Sequence, residues 1–385
     1  MGCKATIGEL CSRVCSGGTP RRNIAEFYDG GTIPWLNTSE ISFNRIRKTE
    51  QHITEAGLND SSAKWIRENS VIVAMYGATA GKAAIAKIPL TTNQACCNLE
   101  INEEVADYRY IYYWFKNQYS HVLGLANGGA QQNLSAKTIR ALEVELPSLM
   151  RQQQTANLLS SIDDKIEFNG RLNGYLAEYA DALYQQRFGT LEDNAVLADV
   201  ADITMGQSPV GTSYNEDGIG VVFYQGRAEF GWRYPKQRLH TTEPKRMAKA
   251  GDVLMSVRAP VGDLNLAYED CCIGRGLAAI HCVHPSFALY LMRSLHKKLD
   301  AYNGEGTVFG SINGKALKEL PIALPENAAM MAFEKEVMPI DAQIRSNEAE
   351  TRSLAILRDT LLPKLMSGEI DVSEVDLTQL NSHLV

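Results

Sequence analysis

The chain has 385 residues, enough for two or three domains with cores of their own. No apolar run approaches the roughly 18 residues of a membrane span, and no signal-peptide pattern opens the chain. The net charge of −7 is unevenly placed: Lys+Arg against Asp+Glu is 15 to 14 over 1–148, 4 to 5 over 149–190, 14 to 15 over 191–325, and 5 to 11 over 326–385. This excludes a protein that grips nucleic acid by net charge alone, so any such surface must be a local patch.

Eight cysteines include the adjacent pairs Cys96-Cys97 and Cys271-Cys272, but no C-x-x-C. A zinc ribbon or thioredoxin site therefore lacks its spacing. Both pairs lie in apolar, strand-like surroundings. All eight read as reduced and mostly buried, the usage expected of a cytoplasmic protein.

Residues 1–148 read as mixed α/β with many short strands. Turns at Ser16-Gly17-Gly18-Thr19-Pro20, Gly30-Gly31 and Asn127-Gly128-Gly129 punctuate them. Ser70 to Tyr76 is a strand-like run ending at Gly77, and Tyr108 to Tyr119 reads as a helix. Residues 149–187 contain no proline. Leu158, Leu159, Ile162, Ile166, Leu172, Leu176, Tyr179 and Leu183 mark one helical face. At ~1.5 Å per residue such a helix spans about 60 Å, too long to pack within one small domain.

Residues 191–325 then repeat the plan of the first 148. Gly206-Gln207-Ser208-Pro209 stands for the first turn, Gly251 to Val257 for the strand before Gly77, and Ser286 to Leu299 for the Tyr-rich helix. A second long helix follows over about 327–367, with Pro339 and Pro363 placed to bend or end it. Lys137 to Pro147 returns as Lys315 to Pro325, an offset of 178 residues that continues ungapped through both helices. The chain is a duplicated pair, each copy a globular half followed by a helix, and two similar halves point to a bipartite target. The helices bury their stripes most simply against each other, antiparallel. Asn169 and Asn347 fall at matched positions near that seam, where a polar residue fixes register.

Several motifs place the chain. The first half carries Ile33-Pro34-Trp35-Leu36-Asn37-Thr38-Ser39-Glu40-Ile41, Gln131-Gln132-Asn133-Leu134-Ser135, and Glu145-Leu146-Pro147 leading into Arg151-Gln152-Gln153-Gln154. The second carries Phe223 to Ala228, Gly251-Asp252-Val253-Leu254, Ser256 to Gly262, and Gly274-Arg275-Gly276-Leu277. In this order, twice over with a helix after each copy, they resemble the specificity subunit of type I restriction–modification systems along essentially the whole chain. The Glu-Gln usual at the head of each helix is replaced by Arg151-Gln152 and Ala328-Ala329.

The resemblance implies an α+β protein in which two mixed α/β target-recognition domains, 1–148 and 191–325, are separated by two long antiparallel helices, 149–190 and 326–368. It also implies an internal pseudo-twofold duplication. An acidic tail, 369–385, follows. Each domain is expected to read one half of a split, asymmetric site in double-stranded DNA. The helices are expected to set the spacer and dock the modification (methyltransferase) subunits, two of them by the matched docking faces. A restriction (motor-nuclease) subunit joins for cleavage. No cofactor, metal or membrane is implied, and the chain itself is expected to be non-catalytic.

Base readers need Arg or Lys for guanine, Asn or Gln for adenine, and Ser or Thr for either, on loops beside a rigid sheet. The candidates in the first half are Asn37, Thr38 and Ser39; Thr79 and Lys82 in Gly77–Lys82; and Gln131, Gln132 and Asn133. Those in the second half are Gln225, Arg227, Arg258 and Arg275. Gly77 to Lys82 is not a nucleotide loop, since Ala83 follows the lysine. Arg275 has an alternative as half of a surface ion pair, and Trp35, Trp65, Trp114 and Trp232 read as core. No nucleophile elbow, H-E-x-x-H or adenine-methyltransferase signature is present, and the seven histidines show no ligand spacing. Two rival classes remain: a standalone enzyme, which needs a low-pKa thiol, and a helical scaffold with no DNA role.

Overall fold

The computed structural model describes residues 3–126, 133–304 and 310–372, which fall into two compact units: 1–168 with 350–385, and 169–349. Gln131, Gln132, the turn at 127–129 and most of the acidic end lie outside the described residues.

Two larger sheets and a two-stranded one, Cys3–Thr6 with Glu143–Leu146, form the globular part of the first unit. Five strands run in the order Cys11–Ser16, Cys96–Ile101, Val71–Ala74, Ala83–Ala86, Asn44–Ile46. Four run Gln51–Ile53, Ile33–Leu36, Leu90–Thr92, Trp65–Ile66. Val71–Ala74 and Cys96–Ile101 are buried at every position; the first reads as a continuous apolar run for that reason, while the second also buries Asn98 and Glu100. The helix Tyr108–Asn117, capped by the Asp107 carboxylate on the amides of Arg109 and Tyr110, packs Ile111 and Phe115 into this core. Each such side chain contributes about 1.5–3 kcal/mol on burial.

The second unit repeats the wiring of eight strands of the two larger sheets, with no counterpart of Asn44–Ile46 among the described residues and with one added strand, Tyr214–Asn215. Its four-stranded sheet runs Asp202–Met205, Leu277–His281, Val253–Ser256, Leu264–Leu266. Its five-stranded sheet adds Tyr214–Asn215 beside Leu239–Thr241, Val221–Tyr224, Cys271–Ile273 and Met247–Ala248. The one parallel pair of the first four-stranded sheet, Trp35 facing Thr91, recurs as Phe223 facing Cys272. The duplication is therefore one of backbone pairing as well as of sequence.

The long helices are Leu149–Phe188 and Asn327–Ser367. Neither Pro339 nor Pro363 ends the second one. In the first unit Leu158 and Leu159 pack with Leu362 and Leu365. In the second, Ala180, Tyr184 and Phe188 pack with Met330, Phe333 and Val337. The paired numbers run in opposite directions, so the strips are antiparallel within each unit. Asn169 and Asn347 do not face water: they are 1% and 5% exposed. Asn347 Nδ2 donates to Asn173 Oδ1 at 2.8 Å, and Gln343 Nε2 donates to Asn347 Oδ1 at 2.8 Å.

A second duplicated contact ties each globular half to its helices. Tyr113 OH donates to Asp163 Oδ2 at 2.6 Å, and Tyr290 OH donates to Asp341 Oδ1 at 2.9 Å. Burial raises both phenols well above their ordinary pKa, so each stays a donor. Arg358 completes the first clamp at 2.8 Å from Asp163, and Arg233 completes the second at 3.2 Å from Asp341.

Two expectations fail. Trp35 and Trp114 are buried, but Trp65 and Trp232 are 43% and 53% exposed. Trp65 lies on a two-residue strand at the edge of its sheet, and Trp232 lies against the Arg233 guanidinium at 5.4 Å. Among the described residues no helix is long and apolar enough to cross a membrane.

Candidate functional site

In the second unit the four candidates converge on one loop cluster at the strand ends. The amide of Gly274 donates to the Tyr224 carbonyl at 2.8 Å, and that of Gln207 donates to the Ile273 carbonyl at 3.0 Å. The Val257 amide reaches the Gly276 carbonyl at 3.0 Å. Gln225, Arg258 and Arg275 are thereby carried on loops braced mainly by backbone, with the Ser208 hydroxyl accepting from the Arg275 amide at 3.3 Å. Glycine is needed where these loops cross: a Cβ on Gly206 would sit 2.1 Å from the Gly274 oxygen, and one on Gly274 would sit 2.8 Å from the Gln225 oxygen.

Gln225, Arg227, Arg258 and Arg275 are all exposed. Arg227 is held by Asp263 at 3.0 Å. Arg258 and Arg275 have no carboxylate partner among the described residues, so the ion-pair alternative for Arg275 finds no support there. Both line an open groove of about 480 Å³ with Met205, Ser311 and Asn313. Two unpaired guanidinium groups on a rigid, concave, neutral-backbone surface suit an electronegative ligand edge or a phosphate.

In the first unit the candidates divide. Thr79 Oγ1 donates to the Thr38 carbonyl at 2.8 Å, so the loops at 38 and 79 meet. Asn37 is used internally: its Nδ2 donates to Gln51 Oε1 at 3.2 Å, and its Oδ1 accepts from Asn93 Nδ2 at 3.1 Å. Ser39 and Asn133 are exposed, and Lys82 is half-buried without a carboxylate partner among the described residues. Asn133 is bridged to Tyr76 across the two loops. Two exposed residues absent from the sequence-derived set share this surface: Gln94, on the turn between Leu90–Thr92 and Cys96–Ile101, and Tyr76, 40% exposed. The signal that could have found them is the alignment of Asn93-Gln94-Ala95 with Gly274-Arg275-Gly276, which needs a shift of the repeat offset.

No catalytic arrangement accompanies these loops. Burial pushes the thiols of Cys11, Cys97 and Cys271 up to about 12, and those of Cys96 and Cys282 also upward. That is the reverse of an activated nucleophile. Among the described residues no cluster of three or more His, Cys, Asp or Glu side chains could hold a metal.

Residues 4–176 match the family model described as the type I restriction modification DNA specificity domain. Two relatives come from Methanocaldococcus jannaschii. One, named provisionally as the type I restriction enzyme MjaX specificity subunit, is 32% identical over 266 residues; the match covers 63% of this chain and 62%, under two thirds, of that protein. The other, the type I restriction enzyme MjaIX specificity subunit, is 25% identical over 409 residues, covering 96% of this chain and 93% of the relative. Among solved structures, a type-I restriction-modification system S subunit from M. genitalium aligns with a TM-score of 0.63 at 18% identity. That alignment covers 95% of this chain and 96% of the other, and it is a likeness of fold.

Proposed function

We propose, from its similarity to type I restriction–modification specificity subunits, that this chain is the non-catalytic reader of a split DNA site. Residues 1–148 and 191–325 are the two recognition domains, and each reads one half-site in double-stranded DNA. The helical segments 149–190 and 326–368 set the unread spacer and dock two modification subunits, to which a restriction subunit adds for cleavage. The neutral balance of both globular halves fits this division, since partner subunits can supply the phosphate grip that this chain lacks. The complex works in the cytoplasm, where reduced cysteines persist.

One observation carries the reading. Each half ends the same pair of sheets in a loop cluster braced backbone to backbone, with exposed Gln, Asn or Arg side chains on it. Such groups match base edges and phosphates, not a small-molecule pocket. The test is the methylation pattern of DNA from cells expressing this chain with its modification subunit, read by single-molecule sequencing. N6-methyladenine confined to one split, asymmetric motif is expected. No new methylation from an assembled complex would refute the reading.

A further inference from the structure

The two loop clusters match residue by residue through their backbone hydrogen bonds. The Asn93 amide donates to the Leu36 carbonyl at 2.9 Å, as the Gly274 amide does to the Tyr224 carbonyl at 2.8 Å. The Met75 amide reaches the Ala95 carbonyl at 2.8 Å, as the Val257 amide reaches that of Gly276 at 3.0 Å. The Leu134 amide reaches the Met75 carbonyl at 2.8 Å, as the Ile312 amide reaches that of Val257 at 3.1 Å. The isolated bridges Tyr76–Asn133 and Arg258–Ser311 complete the correspondence. Gln94 therefore occupies the position of Arg275, and Tyr76 that of Arg258.

The backbone is the same at this position, while the chemistry is not. Gln94 and Arg275 are both exposed, and neither side chain makes a hydrogen bond or ion pair within the described residues. Each sits on a short turn whose neighbours are pinned from both sides. Such a side chain is held out to solvent by a rigid base, which is what edge recognition needs. An arginine there matches the O6 and N7 acceptors of guanine; a glutamine matches the N7 acceptor and N6 donor of adenine. Arg258 beside Arg275 makes the groove of the second unit positive, whereas the matched pair in the first unit, Tyr76 and Gln94, carries no charge.

We propose that this shared position specifies one base pair in each half-site, guanine through Arg275 and adenine through Gln94. The assignment rests on the DNA-reading role proposed above. It predicts a methylated motif with a G·C pair sensitive to position 275 in one half and an A·T pair sensitive to position 94 in the other.

The experiment is motif mapping and duplex binding with the assembled complex carrying the full chain as wild type, R275Q, R275K or Q94R. R275Q is expected to relax one guanine position by roughly 5- to 150-fold, the worth of a bidentate pair, and to leave the other half-site unchanged. R275K, lacking the planar fork, is expected to retain part of that discrimination. Q94R is expected to alter one adenine position in the opposite half-site; Q94A reports on the same position if Q94R does not fold.

A motif unchanged at every position in these variants overturns the assignment. So does an R275Q complex weakened equally on all sequences with a salt slope smaller by about one, because that is a phosphate contact. In both cases the split motif persists, so the DNA-reading role stands. Absence of any split motif in the wild type removes both.

Discussion

Replacing Asp341 by alanine is expected to destabilise the second unit by about 3–5 kcal/mol, because it strands a buried charge. The Arg233 side chain is 4% exposed and lies 3.2 Å from Asp341 Oδ1. Tyr290, 1% exposed, donates to the same oxygen at 2.9 Å. Removing the carboxylate leaves the buried guanidinium without its counter-charge, with a 3.4 Å contact to the Tyr290 hydroxyl remaining, and leaves that phenol without its acceptor. For a unit of this size each kcal/mol is worth about 2–4 °C, so the melting temperature should fall by roughly 6–20 °C.

The charge-free double variant separates the pair from its burial. R233M/D341A removes the stranded cation and is expected to recover much of the loss, with a coupling of about 2 kcal/mol or more. Thermal and urea unfolding of the full chain in all four combinations measures it. A D341A melting temperature within about 2 °C of wild type, or single effects that simply add, would refute the clamp.

Exchanging residues 1–148 for the matching domain of a relative is expected to change one half-site and leave the other; mapped motifs in which both halves change would reject modular reading. Lengthening the first long helix by one turn adds about 6 Å, one to two base pairs of duplex, and should widen the spacer by that amount. An unchanged spacer means the helices are not the ruler. G206A forces a Cβ to within 2.1 Å of the Gly274 oxygen and should abolish reading of the half-site served by Arg275 while the chain stays folded; an intact motif contradicts the platform. P339A should raise stability by about 1–3 kcal/mol in urea titrations, since Pro339 is exposed within a continuous helix and lacks the amide that helix needs.

Much of this architecture is legible in the residues because the helices are amphipathic over forty positions. The proline-free range 149–187, carrying the stripe from Leu158 to Leu183, comes within a residue of the observed helix end at Phe188. The Ser70–Tyr76 run likewise marks the buried strand Val71–Ala74. Gln94 and Tyr76 are not legible in the same way. They lie on turns whose lengths differ between the copies, so the offset of 178 becomes 181 for Gln94 and Arg275 and 182 for Tyr76 and Arg258. What aligns them is amide-to-carbonyl pairing, which carries no signature in side-chain type. Asn37 looks like a reader by composition, yet its amide is committed to Gln51 and Asn93. The exposed Trp65 and Trp232 show a related limit, since residue type favours burial but the place in the fold decides it.

The bracing of the reading loops has a consequence for how such a protein changes over generations. The turn around Arg275 is fixed by main-chain hydrogen bonds, by the Ser208 hydroxyl accepting from the Arg275 amide at 3.3 Å, and by the missing side chains of Gly206, Gly274 and Gly276. The side chain at the tip contributes nothing to holding its own loop. It can mutate with almost no effect on folding, and under the reading role proposed for Arg275 a single codon change there would yield a working protein with a different address on the chromosome. A cell acquiring that change would find its own unmethylated sites newly exposed to any nuclease partner. The same independence that makes new addresses easy to reach makes each one dangerous at the moment it appears.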